Sequence, residues 1–248
     1  MDKAALMRSV AGRKAALDAL RPLAPVAAAQ LRKFYDIELT WTSNAIEGNT
    51  LTARETAEIV EHGLTVGGKR LREHLEAADH HDALQWVRAL ADDATPIDEG
   101  IVVELHRRIV ARSQPEIAGV YATLPRRILG APVVFPNPAK IPELMQAFGA
   151  HRTAASPGWP EAFAAHLKLV SIHPFADGNG RTARLLMNLI LLRAGYPPIA
   201  VRPEDRTAYL DAIERAQTGR DETPYELLML RRLDETLAEY LAALQAAP

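Results

Sequence analysis

The chain has 248 residues, 48% apolar and 24% charged, with a formal net charge of −2, enough to bury a sizeable core and too balanced to argue for nucleic-acid or membrane partners. It has no cysteine, which excludes disulfides, thiolate metal sites and cysteine nucleophiles. The amphipathic, charged start lacks the apolar run of a signal peptide. No apolar stretch reaches the ~18 residues a bilayer span needs, so a cytoplasmic monomer or small oligomer is expected.

Ala, Leu, Glu and Arg dominate, and apolar residues recur at three- and four-residue spacing, which predicts an all-α fold. The pattern places helices near 2–20, 25–45, 53–62, 70–92, 97–112, 141–153, 160–171, 181–194, 204–217 and 224–245. Thr52 with Glu55 forms a capping box, and Glu204 or Asp205 after Pro203 opens a later helix. Residues 124–138 are rich in proline and carry the β-favouring run Val133-Val134-Phe135. On composition alone they fit a short hairpin or a plain surface connection equally well. The helix after residue 180 has almost no polar face, so it is expected to be buried all round, ending at Gly195 before Pro197-Pro198.

The chemistry concentrates just before that helix, in His173-Pro-Phe-Ala-Asp177-Gly178-Asn179-Gly180-Arg181-Thr182-Ala183-Arg184. Glycines let a backbone approach a ligand and turn its amides inward. The free amides and partial positive charge of a helix start suit phosphate. Arg181 and Arg184 share one side of the first turn, where cations oppose the helix dipole unless an anion sits between them. Asp177 could hold Mg²⁺ together with phosphate oxygens, and His173 could accept a proton near neutral pH.

The twelve residues resemble the signature of the Fic (Fido-domain) family, H-x-F-x-[DE]-G-N-G-R-x-x-R, at every specified position, and the likeness extends from about residue 40 to the C-terminus. It implies an N-terminal helical region, 1–50, and a Fic catalytic domain, 51–248, with a short β-hairpin flap at 124–138. It also implies a protein adenylyltransferase that moves AMP from ATP, with Mg²⁺ or Mn²⁺, onto a Ser, Thr or Tyr hydroxyl of a target protein. On matching positions His173 is the base, Asp177 the metal ligand, and Phe175 a buried anchor. Gly178, Asn179 and Gly180 line the anion hole, continued by Thr182 and Ala183, and Arg181 and Arg184 hold the outer phosphates. Gly180 stands where kinases of the superfamily carry Lys, which favours AMP transfer. The flap implies target contacts at Ile128, Leu129, Gly130, Val133 and Val134. Tyr209 and Gln217 resemble an adenine-pocket helix, although many relatives have Asn where Gln217 stands.

Ser43-Asn-Ala-Ile-Glu47-Gly48-Asn49 reads on composition as a helix closed by Gly48-Asn49. It also matches the family's inhibitory signature [ST]-x-x-x-E-[GN]. The resemblance then implies that Glu47 pairs with Arg184 and displaces the γ-phosphate. Two other readings of the same site are a hydrolase that removes AMP, with Glu47 orienting water, and a non-catalytic nucleotide-binding module. Relatives often pair, which leaves a homodimer open. His74, Glu76, His80 and His81 fit no usual metal-ligand spacing and are expected on an exposed helix. His62, His106, His151 and His166 are expected to be surface or packing residues.

Overall fold

The computed structural model describes residues 2–127 and 132–246. Its α-helices are α1 (Lys3–Ala19), α2 (Pro25–Ile46), α3 (Ala53–His62), α4 (Leu71–Ala91), α5 (Glu99–Ile109), α6 (Ile141–Ala154), α7 (Trp159–Ile172), α8 (Asn179–Arg193), α9 (Arg206–Gln217) and α10 (Thr223–Ala246). Each expected helix is present, with ends shifted by a few residues at most. The start signals work as the spacing requires. Thr52 and Glu55 cap α3 reciprocally, while Asp98 accepts from the Ile101 amide and delays α5 to Glu99. The chain enters α9 through a turn of 3₁₀ helix, Pro203–Asp205, and neither Glu204 nor Asp205 caps it with a side chain.

Helix α8 is the axis of the molecule. Residues Arg181–Leu191 are all buried, with α7, α4 and α5 packed around them and α2 touching one end. Asn188, the polar residue farthest along that run, is satisfied by both backbone groups of Ile199, at 2.8 and 3.1 Å. Gly195, at φ 74°, stops the helix as its amide returns to Leu192 O. Helix α1 lies along α10, and the apolar cluster built on Leu186 and Leu189 also takes in Leu6, Val10 and Leu17 of α1. One core therefore runs through both sides of residue 50.

Helix α4 corrects one expectation. It is wedged between α2, α5 and α8, so His74 and His80 are buried. Its buried face is one broad arc that includes His74, Asp79 and His80 among the apolar residues, which hides it from a search for an apolar stripe. The described part of 124–138 contains no strand, and Ile128, Leu129 and Gly130 of the expected flap lie outside the described residues. Among the described residues the pairing that occurs is a single antiparallel bridge between Tyr121 and Phe175.

Candidate active site

The loop 173–178 joins α7 to α8, and three independent holds fix it. The Asn179 side chain accepts from the Phe175 amide and donates to the Phe175 carbonyl, both at 2.9 Å. The Ala122 amide donates to Pro174 O at 2.8 Å. Phe175 is fully buried and lies flat on the His106 ring, with centroids 3.7 Å apart and planes within 2°. His106 in turn binds Asp177 O through Nε2 at 3.0 Å and accepts the Gly119 amide at Nδ1, also at 3.0 Å. Nε2 is therefore its protonated nitrogen. Burial pushes the His106 pKa down to about 4, against the partial support of the Asp177 carbonyl.

His173 closes α7 in the left-handed region, at φ 52° and ψ 56°. That conformation is uncommon for a residue with a β-carbon, though histidine tolerates it better than most. The ring stacks on Phe135 at 4.1 Å, and Nδ1 faces Val170 O at 3.4 Å. A carbonyl accepts only, so Nδ1 carries the proton and the Nε2 lone pair is left to act as a base. Burial lowers the His173 pKa, partly offset by the Val170 carbonyl, which keeps the ring neutral at physiological pH.

Gly178 opens α8 at φ 75°. The amides of Asn179, Gly180 and Arg181 precede the first helical bond, which Thr182 N–H makes to Gly178 O; helix geometry leaves such donors free. The side chains of Asn179, Thr182 and Ala183 do not reach this mouth. Asn179 is occupied by Phe175, Thr182 Oγ1 donates to Gly178 O at 2.8 Å, and Ala183 is sealed in the core. An anion hole of the kind the signature implies would therefore be built from backbone amides here.

Arg181 is 2% exposed, and its Nε and Nη1 are buried without a hydrogen-bond acceptor. Its nearest carboxylates, Glu76 and Asp177, stand 3.7 Å away. Buried donors left open at such a cost mark a seat for an anion. Arg184 is also buried, but occupied: Nε donates to Ser43 Oγ at 3.0 Å, and Nη2 to Ser43 O at 2.8 Å and Glu47 Oε1 at 2.7 Å. Glu47 caps the C-terminus of α2, and Gly48 at φ 96° turns the chain away. A β-carbon on Gly180 would lie 2.3 Å from Glu47 Oε1, so the missing side chain at 180 makes room for the carboxylate.

Asp177 accepts from Gln114 Nε2 at 2.6 Å, Arg72 Nη2 at 2.9 Å and the Gly178 amide at 2.7 Å. Burial pushes its pKa up, but these donors and Arg181 outweigh that and hold it below the usual carboxylate range. The group is ionised, all-oxygen and partly open to solvent, which suits Mg²⁺. One carboxylate cannot complete an octahedral shell, so water and phosphate oxygens would have to supply the rest.

The remaining expected residues are less uniform. Tyr209 is 1% exposed, with its hydroxyl 2.7 Å from His166 Nε2 and 3.5 Å from Arg184 Nη1, so it sits behind Arg184 rather than on an open wall. Gln217 donates to Val170 O at 3.1 Å and borders a cavity of about 550 Å³ between α6, α7 and α9. Val133 and Phe135 are buried while Val134 is 86% exposed. His62 and His151 lie outside on their helices, whereas His106 and His166 are fully buried. The part of His106 in holding the loop was not anticipated. Its signal was a histidine inside the apolar stripe Val102, Leu105, Ile109 of α5. Arg72 and Gln114 gave no local signal at all.

The match to known proteins follows the same residues. A model of the Fic/DOC family covers residues 96–191. A protein of Nematostella vectensis named "Protein adenylyltransferase Fic" is 40% identical over 211 residues, 83% of this chain and 49% of that protein. A fragment of Fic-1 from C. elegans superposes with a TM-score of 0.89 at 29% identity, covering 98% of this chain and 73% of the fragment. A single-site variant of that fragment gives 0.84 at 30% identity, covering 96% and 71%. The chain belongs to the Fic/DOC family. It spans about half the length of the curated relatives it matches. Among the described residues no helix is long and apolar enough to cross a membrane.

Proposed function

We propose that this Fic protein is a protein adenylyltransferase, moving AMP from ATP to a Ser, Thr or Tyr hydroxyl of a target protein. The observation that carries the proposal is a neutral His173 with a bare Nε2, beside a helix start whose amides and buried Arg181 donors await an anion. Its relatives' names support the same activity. His173 Nε2 takes the hydroxyl proton, the freed oxygen bonds to the α-phosphorus, and the bond from that phosphorus to the β-bridging oxygen breaks to release pyrophosphate. The amides of Gly180 and Arg181 and the two guanidiniums face the charge that accumulates on phosphate oxygens. Asp177 would hold Mg²⁺, which supplies charge neutralisation at the phosphates. A metal bound through Asp177 Oδ2 would displace Arg72 or Gln114 from that oxygen.

In the same reading the N-terminal region 1–50 is regulatory. Glu47 occupies Arg184 and the ground above Gly180, so ATP binds with its outer phosphates displaced and its α-phosphorus out of line. A misplacement of about 1 Å can cost on the order of 10²-fold in rate. Target recognition falls to the segment around Val134, whose in–out–in burial fits an extended edge open to strand addition. Gln217 is the better candidate for a base contact, since Tyr209 is enclosed.

Mass spectrometry of a lysate treated with ATP and the Glu47→Gly variant tests the activity. Peptides carrying an added AMP are expected, and phosphate additions without AMP would overturn it. A hydrolase reading is favoured by one feature, the half-exposed Glu47 carboxylate seated over Gly180, which could orient water. Release of AMP from a modified target by the wild type, lost in Glu47→Gly, would establish it.

A further inference from the structure

Behind Arg184 lies a line of buried polar groups that the reaction does not use. Tyr209 OH is 3.5 Å from Arg184 Nη1 and 2.7 Å from His166 Nε2; His166 Nδ1 is 2.8 Å from Tyr225 OH; and Tyr225 OH is 3.0 Å from Phe163 O. His166 is fully buried, and Tyr209 and Tyr225 are each 1% exposed. The His166 ring stacks on Tyr225 with planes 10° apart. No solvent reaches these groups to repair an unmade bond, so their proton arrangement follows from counting donors and acceptors.

Burial pushes the His166 pKa down to about 3, so the ring carries one proton. If that proton were on Nε2 it would point at Tyr209 oxygen. The Tyr209 proton would then have no acceptor, because a guanidinium accepts nothing. With the proton on Nδ1, every group is satisfied in one direction. Arg184 donates to Tyr209, Tyr209 to His166 Nε2, His166 Nδ1 to Tyr225, and Tyr225 to the Phe163 carbonyl. Each bond polarises the next in the same sense, so the end that faces Arg184 is the electron-rich oxygen of Tyr209.

We propose that Tyr209, His166 and Tyr225 form a one-way hydrogen-bond strut, anchored on the Phe163 carbonyl, that aims Arg184 at the outer phosphates of the nucleotide. These are positioning residues, since none of them opens onto the loop. The proposal rests on the adenylyl-transfer reading and deepens it. At 3.5 Å the last link is long, and it is the weaker hold on Arg184 while Ser43 and Glu47 are engaged. Once Glu47 withdraws, Ser43 from the front and Tyr209 from behind are the groups left to fix the guanidinium. This also assigns Tyr209 a place away from the base.

Two measurements decide it. In the Glu47→Gly protein, Tyr209→Phe is expected to weaken α,β-methylene ATP binding about five- to tenfold, the effect of one ordinary hydrogen bond. AMP, which has no outer phosphates, should bind as before, and Tyr225→Phe should do the same to a smaller degree. Equal losses for both ligands would make Tyr209 a base contact or a packing residue and overturn the strut. If the parent protein binds neither ligand, the nucleotide reading itself fails. Independently of any ligand, long-range ¹⁵N NMR of histidine-labelled protein should find His166 protonated on Nδ1 and bare on Nε2. The opposite tautomer would contradict the strut.

Discussion

The Glu47 carboxylate meets the Arg184 guanidinium at 2.7 Å, with its Oε1 in the space that a β-carbon on residue 180 would need. The pair is asymmetric: Arg184 is buried, while the Glu47 side chain is 40% exposed. A buried cation is costly to leave unpaired, so Glu47 leaves only when another anion takes its place, as a nucleotide's outer phosphate would.

Substituting Gly180→Ala should therefore displace Glu47 without altering it. The atom in the way is the tip of a flexible side chain, so it can swing aside once a nucleotide phosphate takes its place at Arg184. Auto-adenylylation with labelled ATP is expected to rise at least about tenfold over wild type, within the scale of a lost misalignment. It should stay below that of Glu47→Gly, because the methyl also crowds the phosphate seat. Labelling at or below the wild-type level would show that Gly180 is not the seat of the carboxylate.

In the proposed reaction the neutral His173 would set the acid limb. Its pKa in the folded protein lies below the ordinary histidine value, and the base acts unprotonated. Activity of the Glu47→Gly protein should be complete near neutrality and fall only as pH drops through a midpoint below about 6.5. A kcat/KM profile with its acid midpoint above 7 would rule out His173 as the base in this environment.

If Asp177 holds the metal as proposed, Arg72 competes for it. The contact is 2.9 Å, but the Arg72 side chain is 53% exposed, so the pair is worth little. Arg72→Ala should lower the Mn²⁺ concentration needed for half-maximal binding of α,β-methylene ATP by about two- to fivefold. Electron paramagnetic resonance of Mn²⁺ measures this directly. A higher Mn²⁺ requirement would mean that Arg72 contacts the phosphates instead of blocking the metal.

Acid should loosen the loop through His106. Its pKa is about 4 folded against about 6.5 unfolded. The neutral form is favoured by folding, so this contribution is complete above pH 6.5 and disappears as pH falls toward 4. Each pH unit in that window is about 1.36 kcal/mol, so His106 alone accounts for roughly 3 kcal/mol. Thermal melts between pH 7 and 4.5 should show a steep loss of Tm, smaller in His106→Asn, which cannot charge. Equal slopes in both proteins would contradict the assignment.

What the sequence disclosed and what it hid divide along physical lines. Local rules gave the helices, because the Thr52 capping box, the Gly195 stop and the all-apolar face of α8 act within a few residues. The twelve-residue signature placed His173, Asp177 and the arginines in one loop and helix start for the same reason. Apart from Glu47 with Arg184, which the family's inhibitory signature carried, contacts over long sequence separations were not legible. His106 is 71 residues from Asp177, Arg72 is 105 and Gln114 is 63, and nothing in their neighbourhoods points there. Tyr209 shows the related limit, where a residue placed by likeness turns out to face the back of Arg184.

The central claim is that this loop transfers AMP and that Glu47 restrains it. Parallel reactions with ATP labelled at the α- or the γ-phosphate, using wild type, Glu47→Gly and Glu47→Gly with His173→Ala, test it most directly. Protein should take up label from the α-position alone, weakly in wild type and strongly in Glu47→Gly, and lose it when His173 is removed. Label arriving from the γ-position, or none in Glu47→Gly, would contradict the account.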